Sequence, residues 1–304
     1  MTEFEPPGNF LGIPPEYSDP ERAAVLVLPV PYESTTSYGG GTRNGPAAII
    51  AASRSVELYD HTADDVPYTI GVATLPALAL TGAGPAAAMR ELRRAYGKVA
   101  DRGRFIVMLG GEHTVSSPPI LEWAERLRRE KRKLSVLQLD AHGDLREEWE
   151  GTPYSHACVM RRVADAVDLV QVGIRAIAPE ERALMRRRKG SITTIFAEQQ
   201  EGGDQWIGRA LKALGEDVYV TIDVDYFDPS LMPATGTPEP GGGDWYSALR
   251  LLERVFRERN VVGADVVELA PIPGFHAPDF VVAKLVYKLI ALHARHGRSA
   301  AKKG

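Results

Sequence analysis

Short apolar runs alternate along the chain with longer stretches in which apolar residues recur every three or four positions. The runs fall at residues 24–29, 68–75, 105–109, 134–139, 169–174, 191–196, 218–223 and 261–268, and their length and β-rich composition read as strands. Helical spacing covers residues 46–55, 85–102, 116–132, a short stretch ending near 166, then 179–189, 206–214, 244–257 and 278–295. Pro46 suits the first turn of the first of these. Strands and helices that alternate in this way predict an α/β fold: a mostly parallel sheet of about eight strands flanked on both faces, a three-layer αβα sandwich. Residues 1–22, with Pro6, Pro7, Pro14, Pro15 and Pro20, read as an irregular N-terminal arm. Residues 23–304 contain neither an internal repeat nor a dividing linker and read as one domain.

Polar groups of one kind gather where the apolar runs stop. The run at 134–139 ends in Asp140-Ala141-His142-Gly143-Asp144, which sets three potential metal ligands at alternate positions. In an extended backbone alternate residues project to one side, so the three would face one point. On its own such a stretch reads equally well as a solvated polar turn. The pattern returns in Asp223 and Asp225 after the run at 218–222, while His113 follows 105–109 and Glu268 closes 261–267. Four strand ends carrying such groups imply one crevice at the carboxyl ends of a parallel sheet. The glycines between Gly39 and Gly45 lack the residues of a phosphate loop and read as a turn. The basic run from Arg126 to Lys133 has acidic neighbours and reads as a solvated helix face, with no nucleic-acid role.

Composition narrows the class. Of 304 residues, 44% are hydrophobic and 25% charged, values ordinary for a globular protein with a sizeable core. A net charge of −4 points to neither nucleic acid nor an anionic membrane surface. The single cysteine, Cys158, excludes an intramolecular disulfide and suits a reducing compartment. No basic and apolar leader opens the chain, and Lys284 and Lys288 interrupt its last apolar stretch, so the expected location is cytoplasmic.

Taken in order, Gly110-Gly111-Glu112-His113, Asp140-Ala141-His142-Gly143-Asp144, Ser155-His156, Asp223-Val224-Asp225 with Asp228-Pro229, and Glu268 resemble the ureohydrolase family of arginases and agmatinases, most of all agmatinases. The resemblance runs from about Pro29 to the last helix. It implies two Mn²⁺ ions per subunit, held by His113, Asp140, His142, Asp144, Asp223 and Asp225. The residue types alone do not separate Mn²⁺ from Mg²⁺, Co²⁺ or Zn²⁺. It further implies a metal-bridged hydroxide attacking a guanidinium carbon, with Asp144 and His156 as proton carriers and Glu268 orienting the guanidinium. The family's trimers and hexamers imply a homo-oligomer.

Arginases recognise an amino-acid head group through an asparagine soon after the Asp-x-His-x-Asp motif and an acidic residue after the Gly-x-Arg strand end. Here Leu145-Arg146 and Ala176-Ile177-Ala178 stand there instead. Agmatine therefore fits better than arginine, giving putrescine and urea. Departures from the family pattern are Glu112 where many relatives carry aspartate, Ala157 after His156, and the stretch from Leu269 to His276. That stretch resembles a branch acting on N1-aminopropylagmatine, which makes that compound, yielding spermidine and urea, the alternative substrate; another guanidino or formimino hydrolase such as guanidinobutyrase, or arginase itself, is a further one. Glu147, Glu148 and Glu150 are candidates to meet a distal ammonium, with Glu148 the one chosen. His61, His293 and His296 read as surface residues, His276 as a helix cap, and Cys158 as a small residue near the site.

Overall fold

The computed structural model describes residues 8–297. Eight strands, β1 (Val25–Val30), β2 (Val72–Thr74), β3 (Phe105–Gly110), β4 (Leu134–Leu139), β5 (Asp168–Ile174), β6 (Ile192–Phe196), β7 (Asp217–Asp223) and β8 (Asn260–Val267), form one sheet in the order β2-β1-β3-β8-β7-β4-β5-β6. Every pairing is parallel. The helices are α1 (Gly45–Ser53), α2 (Pro85–Ala100), α3 (Ser117–Arg129), α4 (Val159–Val163), α5 (Pro179–Arg187), α6 (Gln205–Ala213), α7 (Trp245–Glu258) and α8 (Ala277–His296).

The strands are apolar throughout because helices cover both faces of the sheet. Along β4, Leu137 and Leu139 join the core under α1, α6, α7 and α8, while Leu134 and Val136 join the one under α3, α4 and α5. Helix α2 closes the remaining corner over Leu28, Val30, Ile106 and Met108. Each fully buried Leu, Ile or Val contributes about 1.5–3 kcal/mol of transfer free energy. Lys288, which breaks the apolar run of α8, is buried against Asp60 at 2.8 Å and Thr62 at 3.0 Å. Burial works against the Asp60 charge, but the Lys288 ammonium holds that carboxyl down at about 2.

The strand order fixes where chemistry can sit. The chain lays β1 to β3 on one side and β4 to β6 on the other, then inserts β7 and β8 between the two halves. Beyond the carboxyl ends of β3, β8, β7 and β4 lies the crevice that such a reversal opens.

Several local expectations differ from the structure. Of residues 1–22, positions 8–22 are described and take 3₁₀ turns at Phe10–Gly12 and Pro15–Tyr17, and Phe10, Leu11 and Ile13 are buried in the main core. The run at 68–75 shortens to β2, because Pro67 starts a 3₁₀ turn (Pro67–Ile70) and Gly71 reverses the backbone at φ 88°. His293 is not a surface residue: it stacks on Phe105 at 4.0 Å, and burial pushes its imidazole down to about 4. His296 is largely covered and lies 2.9 Å from Glu253. His276 stands at the N-cap position of α8 but makes no capping hydrogen bond, and His61 is exposed. In the basic run, Arg126 pairs with Glu122 and Asp101, Arg128 and Arg129 with Glu125, and Lys133 with Asp168. No described helix is long and apolar enough to cross a membrane.

Candidate metal centre and substrate cavity

Three strand ends bring six side chains together. His113 follows β3, Asp140, His142 and Asp144 follow β4, Asp223 closes β7, and Asp225 lies in the 3₁₀ turn Val224–Tyr226. The convergence does not come from a continued strand, as the alternation alone implied. Asp144 has φ 52°, the left-handed region, and the chain is already turning at His142, whose amide donates to Asp140 Oδ1 at 2.6 Å. Ala141 N–H donates to Asp225 Oδ1 at 2.9 Å and Asp225 N–H to Asp223 Oδ1 at 2.9 Å, so the two acidic turns hold each other.

The ligand atoms form two groups that share Asp140. One is His113, Asp140 and Asp223, the other Asp140, His142 and Asp225, each with its atoms within 4.8 Å of one another. His113 Nδ1 lies 3.1 Å from Asp140, 2.9 Å from Asp144 and 3.4 Å from Asp223. It is buried yet has no hydrogen-bonding geometry to any of them, so its ring nitrogen points among carboxylate oxygens as a ligand does around a common ion. His142 Nδ1 is 2.8 Å from Asp225 Oδ2. The side chains of Asp140, Asp144, Asp223 and Asp225 balance two divalent cations in charge.

Electrostatics support that fit. Burial, then the charges of Asp144 and Asp225, raises Asp140 to about 7. Asp223 is raised well above the carboxylate range by burial and by Asp225 and Asp140. Burial opposes the His142 imidazolium, but the charge of Asp225 holds it up at about 11; burial likewise opposes charge on Asp225, which His142 holds down at about 2. Burial disfavours charge on His113 too, and contact with Asp140, Asp144 and Asp223 outweighs it and raises the ring. Such a cluster takes up protons at neutral pH unless cations displace them.

Buried polar residues from the strands hold the ligands in place. Thr221 Oγ1 is 3.0 Å from His113 Nε2 and donates to Asp265 Oδ1 at 2.6 Å. Burial raises Asp265 to about 6. Gln138 donates to Asp140 Oδ2 at 2.7 Å, and Gln171 donates to Gln138 at 2.7 Å and to the Gly143 carbonyl at 2.8 Å. Glu181, in the first turn of α5, accepts from Leu145 N at 2.8 Å and Ala178 N at 2.6 Å, tying the loop after Asp144 to that helix.

Above the ligands opens a cavity of about 510 Å³. Glu268 lies in its wall at φ 66° and accepts from the His113 amide at 2.6 Å. Burial raises that carboxyl to about 8. Two non-glycine residues in the left-handed region, Asp144 and Glu268, store strain on the order of 1–3 kcal/mol each, a cost typical of functional sites. His156 lines the cavity as well. Glu148 does not: it is exposed outside the lining, and Glu147 is held by Arg161 and Arg162. From that loop Trp149 reaches the cavity. Cys158 is buried, its thiol pushed up to about 11 by burial and the Asp144 charge.

Sequence reading passed over Thr221, Asp265, Gln138 and Gln171. Their signal was a polar residue inside a strand apolar on both faces, where burial demands a partner.

The geometry is that of a binuclear metal hydrolase on a doubly wound sheet, and the sequence profile of the arginase family matches residues 23–291. The chain belongs to the arginase family, whose members are binuclear metal enzymes acting on guanidino compounds, and is a ureohydrolase close to the agmatinases. It is 37% identical over 297 residues to an N1-aminopropylagmatine ureohydrolase of Synechocystis sp., covering 93% of this chain and 95% of that one. To an agmatinase of Pyrococcus horikoshii it is 31% identical over 280 residues, covering 91% and 94%. The solved agmatine ureohydrolase of Thermoplasma volcanium superposes with a TM-score of 0.81 at 27% identity, covering 90% of this chain and 91% of that structure.

Proposed function

We propose that this chain hydrolyses the guanidinium group of a cationic polyamine precursor, releasing urea and a primary amine. The observation that carries the choice of substrate is the state of the cavity's arginines. Arg175 donates to the backbone carbonyls of Pro240, Gly173, Tyr226, Asp225, Phe227 and Glu239. Arg146 pairs with Glu180 at 3.0 Å and stacks on Trp149. Among the described residues no lysine lines the cavity, and both arginines already have partners. Arginine and guanidino acids would enter with an unpaired charge, whereas agmatine-type cations would not.

Agmatine and its aminopropyl extension share this chemistry. Greater identity to the Synechocystis relative, 37% against 31% for the Pyrococcus agmatinase, favours N1-aminopropylagmatine. A second observation agrees: Glu239, in the cavity wall, makes no side-chain ion pair or hydrogen bond among the described residues, which leaves a carboxylate for the additional ammonium.

His113, Asp140, Asp144 and Asp223 would hold one cation, and Asp140, His142 and Asp225 the other. We assign Mn²⁺, as the family resemblance implies; carboxylate and imidazole donors with no thiolate are compatible with it. Bound there, the pair supplies a water acidic enough to act as a nucleophile at neutral pH. Glu268 orients the planar guanidinium by charge-assisted hydrogen bonds. Asp144 takes the nucleophile's proton on its carboxylate. His156 takes up a proton from solvent and delivers it to the departing amine nitrogen, because an amide anion is too basic to leave. We further propose a trimer or hexamer, as the family resemblance implies, in the cytoplasm, which the single cysteine suits.

Urea release from agmatine, N1-aminopropylagmatine, arginine and 4-guanidinobutyrate tests the reading. The expected order places the two polyamine precursors ahead by kcat/KM, and Glu239→Gln should raise KM more for the longer one. A lead for arginine or guanidinobutyrate overturns it.

A further inference from the structure

We infer that Thr35 and Glu112 form a positioning relay that fixes the ring tautomer of His156, a deduction that rests on the proton-delivery role proposed for that residue. Glu112 is fully buried and directly precedes His113. Its Oε2 accepts the amides of Ser34 at 2.6 Å and Thr35 at 2.7 Å. Its Oε1 accepts from the Thr35 hydroxyl at 2.8 Å.

A hydroxyl has one hydrogen to give. With that hydrogen committed to Glu112, Thr35 Oγ1 can only accept from His156. It lies 3.1 Å from the His156 amide and 3.3 Å from Nδ1. The amide is a donor by nature, and Nδ1 must be one also, since a bare Nδ1 would set two lone pairs against each other. Ser155 Oγ, 3.4 Å from Nδ1, could donate to a bare nitrogen, but it would leave the Thr35 clash in place.

On the other side of the ring the direction is complementary. Trp149 Nε1 donates to Ser37 Oγ at 2.9 Å, which frees the Ser37 hydrogen for His156 Nε2 at 3.2 Å. The Thr35 side specifies Nδ1–H, and the Ser37 side offers its hydrogen to the Nε2 that this leaves basic. Ser37 and Trp149 line the cavity, so the basic nitrogen is the one turned toward residues that border the substrate. Glu112 and His113, neighbours in sequence, thereby tie one metal ligand and the proton carrier to a single turn.

The test uses Thr35→Val, which keeps the shape and removes the hydroxyl, and Thr35→Ser, which restores it. Long-range ¹H–¹⁵N NMR of protein loaded with a diamagnetic divalent cation reads the tautomer, with His156→Asn identifying the resonance. The expected result is Nδ1–H in the native protein, loss of that preference in Thr35→Val with kcat lower by at least about tenfold at unchanged KM and metal content, and recovery of both in Thr35→Ser. An Nε2–H tautomer in the native protein, or an unmoved tautomer in Thr35→Val, overturns the relay. If the tautomer behaves as stated but His156→Asn keeps full kcat, the relay stands and the proton-delivery role falls.

Discussion

Replacing Thr221 with valine should weaken metal binding without disturbing the fold. The side chain is buried, and valine has nearly its shape, so no cavity forms. What disappears is the hydroxyl between His113 Nε2 at 3.0 Å and Asp265 Oδ1 at 2.6 Å. In the native protein that hydroxyl gives its hydrogen to Asp265 and accepts from Nε2–H, which leaves Nδ1 as the lone pair facing Asp140, Asp144 and Asp223. Without it the ring loses its tautomeric preference and part of its basicity. Partners of this kind are worth about 10–100-fold in metal affinity. The loss corresponds to about 1.4–2.7 kcal/mol, near that of leaving one buried polar group unpaired. Competition between a chelator and the stripped protein for Mn²⁺, with thermal unfolding of the metal-free form as control, measures it. Affinity within about twofold of native would refute the role assigned to Thr221, as would a large loss of metal-free stability that explained the change by misfolding.

Three further expectations follow from the same geometry. Glu268→Gln should lower kcat/KM for agmatine about 10–100-fold at unchanged metal content, by loss of a charge-assisted pair with the guanidinium, and an unaffected kcat/KM removes Glu268 from substrate binding. Because Asp140 sits at about 7, cation binding near neutrality should release protons and tighten as pH rises; titration calorimetry in buffers of different ionisation enthalpy reads this, and a buffer-independent heat would contradict it. His293 is held down at about 4 by burial, so the unfolded chain binds the extra proton between there and about 6.5. Its contribution is complete above that window and is lost as pH falls through it, by up to about 3 kcal/mol, so His293→Leu should flatten the difference in denaturation midpoint between pH 5 and 7.5, and equal differences in both proteins would dismiss it.

Most of the fold and the six candidate ligands were legible because both are written in local order. A strand buried on both faces must be apolar, and polar residues set at its end in close succession stand out. The reason they converge was less legible. Asp144 reaches its place through a left-handed backbone, within a turn held by the Ala141–Asp225 and Leu145–Glu181 hydrogen bonds. Those contacts join residues 36 to 84 positions apart, and no local pattern encodes them. The acidic loop shows the opposite failure. Three glutamates there promised a cation site, yet Glu147 is taken by two arginines, and the wall carboxylate left without a side-chain partner among the described residues is Glu239, in a loop read only as glycine- and proline-rich. His293 was read as exposed because its stacking partner, Phe105, lies on a strand far away in sequence.

In the proposed mechanism, hydrolysis depends on a pair of cations sharing Asp140. Dialysis of the stripped protein against graded Mn²⁺, with bound metal and urea release from agmatine and N1-aminopropylagmatine measured on the same samples, tests it most directly. Two ions per chain at saturation, with urea release rising only as the second is taken up, is the predicted result. Saturation at one ion, or urea released by the stripped protein, would contradict it.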